Sequence, residues 1–136
     1  RAMAKLLKCG LAIVDKRRDR PNTSAVMNVI GDVSGKTCLI VDDIVDTGGS
    51  LVNAAQALMD SGAKEVSAAI THPVLSGQAV EKLNVSVLSK LYVTNSIPLS
   101  PEAHESTKIL QVDIAGFIAE SIRRVHNRES VSSLFS

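Results

Sequence analysis

Apolar residues in this chain fall in short blocks with two periodicities. Near-continuous runs at Thr37 to Asp43, Val66 to Thr71, Leu88 to Thr94 and Ile109 to Val112 predict buried strands. Leu11 to Asp15 is a further short apolar strand, and Ala25 to Val33 alternates enough to be another. Lys16 to Ser24 is charged, contains Pro21 and reads as a loop; Ser34-Gly35-Lys36 reads as a turn. Helical spacing appears from Ser50 to Ser61, stopped by Gly62. Gly77 to Leu83 reads as a short helix, and Arg1 to Lys8 as the back half of one. Ile114 to Val125 is amphipathic, with Ile114, Phe117, Ile118, Ser121, Ile122 and Val125 along one side. Strands alternating with helices predict an α/β fold, a parallel sheet flanked by helices with right-handed crossovers. The strand ending at Asp43 reads as a central one, since an unbroken apolar run suits a sheet covered on both faces.

Composition narrows the function classes. The length, 136 residues, is that of one domain and suffices for a real core. A formal charge of +1 argues against a general nucleic-acid binder, and the scarcity of aromatics with no Trp argues against base stacking. No apolar run approaches about 18 residues, so no membrane span is expected, and no secretory signal is visible. Cys9 and Cys38 do not make a disulfide framework, and Cys38 reads as a small buried hydrophobe. His72, His104 and His126 show no metal-ligand spacing, and His72, beside Pro73 at a strand end, reads as structural. A reduced cytoplasmic setting follows as the expectation.

The chemistry concentrates in Val41-Asp42-Asp43-Ile44-Val45-Asp46-Thr47-Gly48-Gly49-Ser50. An apolar strand closes on two adjacent carboxylates, a glycine loop follows, and a helix begins, with Ser50 or Thr47 placed to cap it. Amides at a helix start are unpaired and attract anions. Gly48 and Gly49 let a phosphate approach the backbone, and Thr47 and Ser50 add hydroxyl donors. Asp42 and Asp43 then suit a sugar diol, or a cation that the sugar also binds. The combination describes a site for a phosphorylated sugar. It is not a Walker loop, since no Lys-Ser or Lys-Thr follows the glycines, and the glycine spacing is not that of a dinucleotide fingerprint. A second feature is the basic cluster Lys16, Arg17, Arg18 and Arg20. If it emerges from the same sheet at the same edge, it forms a cationic lid suited to the charge that spreads during polyphosphate transfer.

Val41 to Ser50 resembles the phosphoribosyl-diphosphate motif of the type I phosphoribosyltransferase fold. Ile13 to Arg18, Val26 to Val33, Thr71 to Gly77, Val93 to Pro98, Ile122 to His126 and Ser130 to Phe135 resemble the ribose-phosphate diphosphokinase family. The resemblance runs the whole chain. It implies a three-layer ribose-5-phosphate-binding domain over residues 1–112 and a C-terminal helix and tail, 113–136, packing on a preceding nucleotide-binding domain. A metal-binding Asp strand also precedes this point in the family. The chain is therefore expected to be a C-terminal part, inactive alone.

The implied reaction moves the diphosphoryl group of ATP to the anomeric hydroxyl of ribose 5-phosphate, giving 5-phosphoribosyl diphosphate and AMP for nucleotide biosynthesis. Lys16 matches the family's catalytic lysine and Arg18 its partner arginine, which also contacts the sugar phosphate. Asp42, Asp43, Asp46, Thr47, Gly48, Gly49 and Ser50 match ribose-5-phosphate contacts. Mg2+ is the implied metal, helped by Asp42 or Asp43. Ser130, Ser132 and Phe135 match a phosphate or ADP regulatory site between subunits, the rival being that Leu134 and Phe135 dock the tail on another domain. The family implies a homo-oligomer, commonly a hexamer. The loop departs from the frequent Asp-Thr-Ala-Gly-Thr only by Gly48 and Ser50. Two other functions share the acidic loop: a phosphoribosyltransferase of nucleotide salvage and a non-catalytic regulatory paralogue.

Overall fold

A computed structural model describes residues 2–17 and 26–135. In chain order the elements are α1 (Ala2–Leu6), β1 (Ile13–Arg17), β2 (Val26–Ile30), β3 (Thr37–Val45), α2 (Gly49–Asp60), β4 (Glu65–Pro73), α3 (Ala79–Val85), β5 (Leu91–Thr94), α4 (Pro101–Glu105), β6 (Ile109–Val112) and α5 (Ala115–His126). A short 3-10 turn, Ser132–Leu134, follows. Strands β3, β4, β5 and β6 form one parallel sheet in that order. The α/β parallel class expected from the periodicity holds.

The strand order decides where the helices go. Right-handed crossovers that always step in the same direction put every connecting helix on one face. Helices α2, α3 and α4 are those connections. On their face lie Val66, Ala68, Ile70, Leu91, Val93 and Ile109, all buried and packed with Leu51, Ala55, Leu58, Val80, Leu83 and Ala103. The other face is open among the described residues. Register places Val41, Ala69, Tyr92 and Leu110 in one row across it, and Val41 and Tyr92 are 49% and 40% exposed. Strand β3 also stands at the sheet's edge, so its expected central place, covered on both faces, is corrected here. A nonalternating apolar run signals burial on both sides; it does not say which residues supply the cover.

Strands β1 and β2 make a second correction. They pair antiparallel with each other in a separate two-stranded sheet, Lys16 opposite Met27. The basic cluster does not follow a strand of the parallel sheet. Lys16 and Arg17 continue β1 where a loop was expected. An antiparallel ribbon tolerates such charges because one of its faces can meet water, while Val14 and Val29 pack against the core.

Two short elements escape the hydropathy pattern. Helix α4 starts at Ser100, whose Oγ accepts from the Ala103 amide at 3.2 Å, with Pro101 in the first turn. The tail turn at Ser132–Leu134 has no apolar period to reveal it.

Candidate functional site

Strand β3 delivers the acidic residues to the carboxyl edge of the sheet, where open α/β sheets bind ligands. It does not end at the acidic pair, as expected, but runs on to Val45. Asp42 and Asp43 therefore sit within a strand. Asp42 pairs in register with Ile70 and shares the helix-bearing face, lining the same groove as Ser50. The Asp43 amide donates to Asp42 Oδ1 at 3.0 Å. Both carboxylates are exposed, which removes the desolvation cost of charge beside a core.

The turn Asp46 to Gly48 then leads into α2. Gly48 is the N-cap residue, in the left-handed region at φ 75°, and neither Thr47 nor Ser50 caps the helix with its side chain. The expected hydroxyl cap is thus overturned. Gly48 is buried and approaches Ala79, the first residue of α3: a methyl group added there would lie 3.6 Å from its carbonyl oxygen. That is an ordinary contact distance; the positive φ is what favours glycine there. Gly49 has no positive φ, and a methyl group there meets nothing within 4 Å. The space over Gly49 is open, Thr47 and Ser50 are exposed, and the first amides of α2 lack a side-chain acceptor. Such an arrangement receives an anion with several oxygens.

One partner of the turn was not foreseen. The loop after β4 lies against it. The Leu75 amide donates to Val45 O and the Ser76 amide to Asp46 O, both at 3.1 Å, and Ser76 Oγ donates to the Asp46 carboxylate. Leu75 takes a left-handed backbone, φ 50°, with its side chain against the core. Next along the edge, His72 Nδ1 lies 2.9 Å from Ser96 Oγ, which also reaches Thr71 O at 3.0 Å. His72 thus ties the ends of β4 and β5 together, the structural role expected of it.

Among the described residues no group of three His, Cys, Asp or Glu could hold a metal ion. Mg2+ commonly takes one or two protein carboxylates and completes its shell with substrate oxygens and water. One of Asp42 and Asp43 fits that demand. The Lys16 backbone lies in β1, and Arg18 lies outside the described residues. A groove of about 1090 Å3 runs between α1, β3 and α2. Its lining, including Met3, Leu7, Leu39 and Leu58, is largely apolar, and it meets the acidic turn only at Asp42 and Ser50. The groove therefore does not suit a sugar phosphate; the turn does.

The predicted regulatory residues sit together at the tail. Arg124 donates to Ser130 O at 3.1 Å and to Ser133 Oγ. Ser132 opens the 3-10 turn. Phe135 meets Phe117 edge to face, 5.5 Å between centroids. The tail is thus held on α5 of its own chain.

A parallel α/β domain with an uncapped, glycine-built turn at its carboxyl edge, preceded by an acidic pair, belongs to the class of α/β domains that place their ligand sites at the strand ends. Comparison with known proteins makes the class particular. Residues 11–136 match the family described as the phosphoribosyl synthetase-associated domain, and the chain belongs to that family. A ribose-phosphate pyrophosphokinase of Bordetella pertussis is 56% identical over 136 residues, covering all of this chain and 44% of that relative. One of Bacillus subtilis is 52% identical over 136 residues, again all of this chain and 43% of the relative. The crystal structure of phosphoribosylpyrophosphate synthetase from Mycobacterium smegmatis superposes with a TM-score of 0.81 at 35% identity, over 92% of this chain and 40% of that one. The chain spans less than half the length of the curated relatives it matches.

Proposed function

We propose that the polypeptide containing this chain is a ribose-phosphate diphosphokinase, and that this domain holds the acceptor sugar. The observation that carries the reading is the uncapped start of α2 at Gly48, set directly behind Asp42 and Asp43. The amides from Thr47 to Ser50, with the two hydroxyls, take the 5-phosphate. Asp42 orients the sugar hydroxyls from the same face as Ser50. The anomeric oxygen attacks the β-phosphorus of ATP; that O–P bond forms, the bond from the β-phosphorus to the α–β bridging oxygen breaks, AMP leaves, and the hydroxyl proton passes to solvent. Negative charge spreads over the migrating group, which Lys16 and Arg18 stabilise in this reading. A Mg2+ ion held through Asp42 or Asp43 supplies charge neutralisation at the phosphates. Ser130, Ser132 and Phe135 are assigned to a phosphate or ADP regulatory site in a cytoplasmic homo-oligomer, a hexamer by family. High identity to named ribose-phosphate pyrophosphokinases supports the reading.

The test is product formation by the full-length polypeptide from ATP, ribose 5-phosphate and Mg2+. AMP and a sugar diphosphate are expected in equal amounts; a phosphoribosyltransferase, which shares the acidic turn, releases no AMP from this mixture. Gly49→Val, which fills the open space over the turn, is expected to weaken ribose-5-phosphate affinity by on the order of tenfold or more by blocking amide contacts to an anion. Unchanged affinity in that variant, or no AMP from the wild type, contradicts the proposal.

A further inference from the structure

We infer that Ser76 is the positioning residue of the acceptor-phosphate turn, acting through the carboxylate of Asp46. The inference rests on the function proposed above and adds a residue to it. A phosphate turn that carries its own carboxylate has a built-in conflict. Asp46 lies one residue before Thr47 and two before Gly48, and a carboxylate swinging toward the bound phosphate repels it. Nothing in the turn's own capping prevents this, since no side chain caps α2.

The loop after β4 supplies the restraint. Its two amides clamp the carbonyls of Val45 and Asp46, at 3.1 Å each. Those backbone bonds hold the main chain of the turn in any sequence context. The Ser76 hydroxyl does a different job: it donates to the Asp46 carboxylate itself. The hydrogen bond is charge-assisted, the stronger kind, and it holds the acid toward the loop that contains Ser76. Both residues are exposed or half-buried, so the contact orders a side chain at the site's rim and fills no core. Leu75, half-buried against the core, anchors the loop beside Ser76. The restraint thus sits on a braced segment. With the carboxylate parked on Ser76, the phosphate meets amides and hydroxyls alone.

The experiment is a double-mutant cycle in the full-length protein, with ribose-5-phosphate affinity read by equilibrium titration and the KM for ATP beside it. Ser76→Ala is expected to weaken ribose-5-phosphate binding about tenfold, the effect of losing one charge-assisted contact. The KM for ATP should move by less than about twofold, because the turn faces only the acceptor in this reading. Ser76→Thr keeps the hydroxyl and should restore binding. In Asp46→Asn the charge is gone, so adding Ser76→Ala should cost little more; the two changes are non-additive. If Ser76→Ala does not fold, Ser76→Cys, of similar shape with a weak donor, takes its place with the same expected direction. Full additivity with Asp46→Asn, equal losses for sugar and ATP, or unaltered sugar affinity overturns the role of Ser76. Gly49→Val separates the two layers. If it weakens sugar binding while Ser76→Ala does not, only the positioning role falls; if it too leaves binding unaltered, the assignment of the turn falls first.

Discussion

Residue identity matters most where the backbone has no alternative. Gly48 is held at φ 75°, a backbone that L side chains rarely adopt, while Gly49, its neighbour, has no positive φ. Gly48→Ala is expected to cost about 1–2 kcal/mol, the penalty of a left-handed L-residue, and to lower both thermal stability and sugar-phosphate affinity. Gly49→Ala should leave the melting temperature nearly as it was. Equal melting temperatures for wild type and Gly48→Ala, measured by calorimetry, would sink this account of the turn. The sequence made the glycine loop legible as a candidate anion site because it stands between an acidic strand end and a helix start. It did not tell which glycine carries the strained geometry or that no hydroxyl caps α2. The Asp46–Ser76 contact was illegible for a plainer reason: its partners are 30 residues apart, and no spacing rule links them.

At the scale of elements, the strands and helices of the parallel sheet were readable from apolar runs and helical spacing, with ends displaced by a few residues. The helix α4 carried a readable start, Ser100-Pro101-Glu102, that a search for apolar periodicity passes over. The basic end of β1, Lys16 and Arg17, reads as a loop in the sequence because charge at a strand end looks like a turn until its antiparallel partner is known. Helix α5 has no buried residue, yet its far end is organised. Glu120 accepts from both Arg123 and Arg124, and Arg123 also bridges to Glu129 at 2.8 Å. Hydrogen bonds from Arg123 first and then Arg124 hold the Glu120 carboxyl down to about 2, from an ordinary 4.5. A carboxyl lowered in the folded state adds stability above its unfolded value and loses it as pH falls through the folded one. The clasp on the tail should therefore be intact above pH 4.5 and open as pH falls from about 4.5 toward about 2. Carboxyl-carbon NMR of Glu120, followed with the Phe117–Phe135 ring contact, checks this. A Glu120 midpoint near 4.5 would mean that the arginines do not hold it.

For the molecule as a whole, the one-directional strand order places all three crossover helices on one face and leaves Leu39, Val41, Tyr92, Leu110 and Val112 exposed on the other. Parallel sheets are ordinarily covered on both sides; among the described residues this face of the sheet is open. The site itself lies at the carboxyl edge and is built from β3, α2 and the loop after β4, all within the described residues. Its central claim is that the amides opening α2 bind the acceptor's phosphate. A crystal structure of the full-length protein with ribose 5-phosphate tests that directly. Phosphate oxygens within hydrogen-bonding distance, about 2.7–3.2 Å, of the amides between Asp46 and Ser50, with sugar hydroxyls toward Asp42, are the predicted result; a phosphate seated elsewhere, with those amides facing only water, would contradict it.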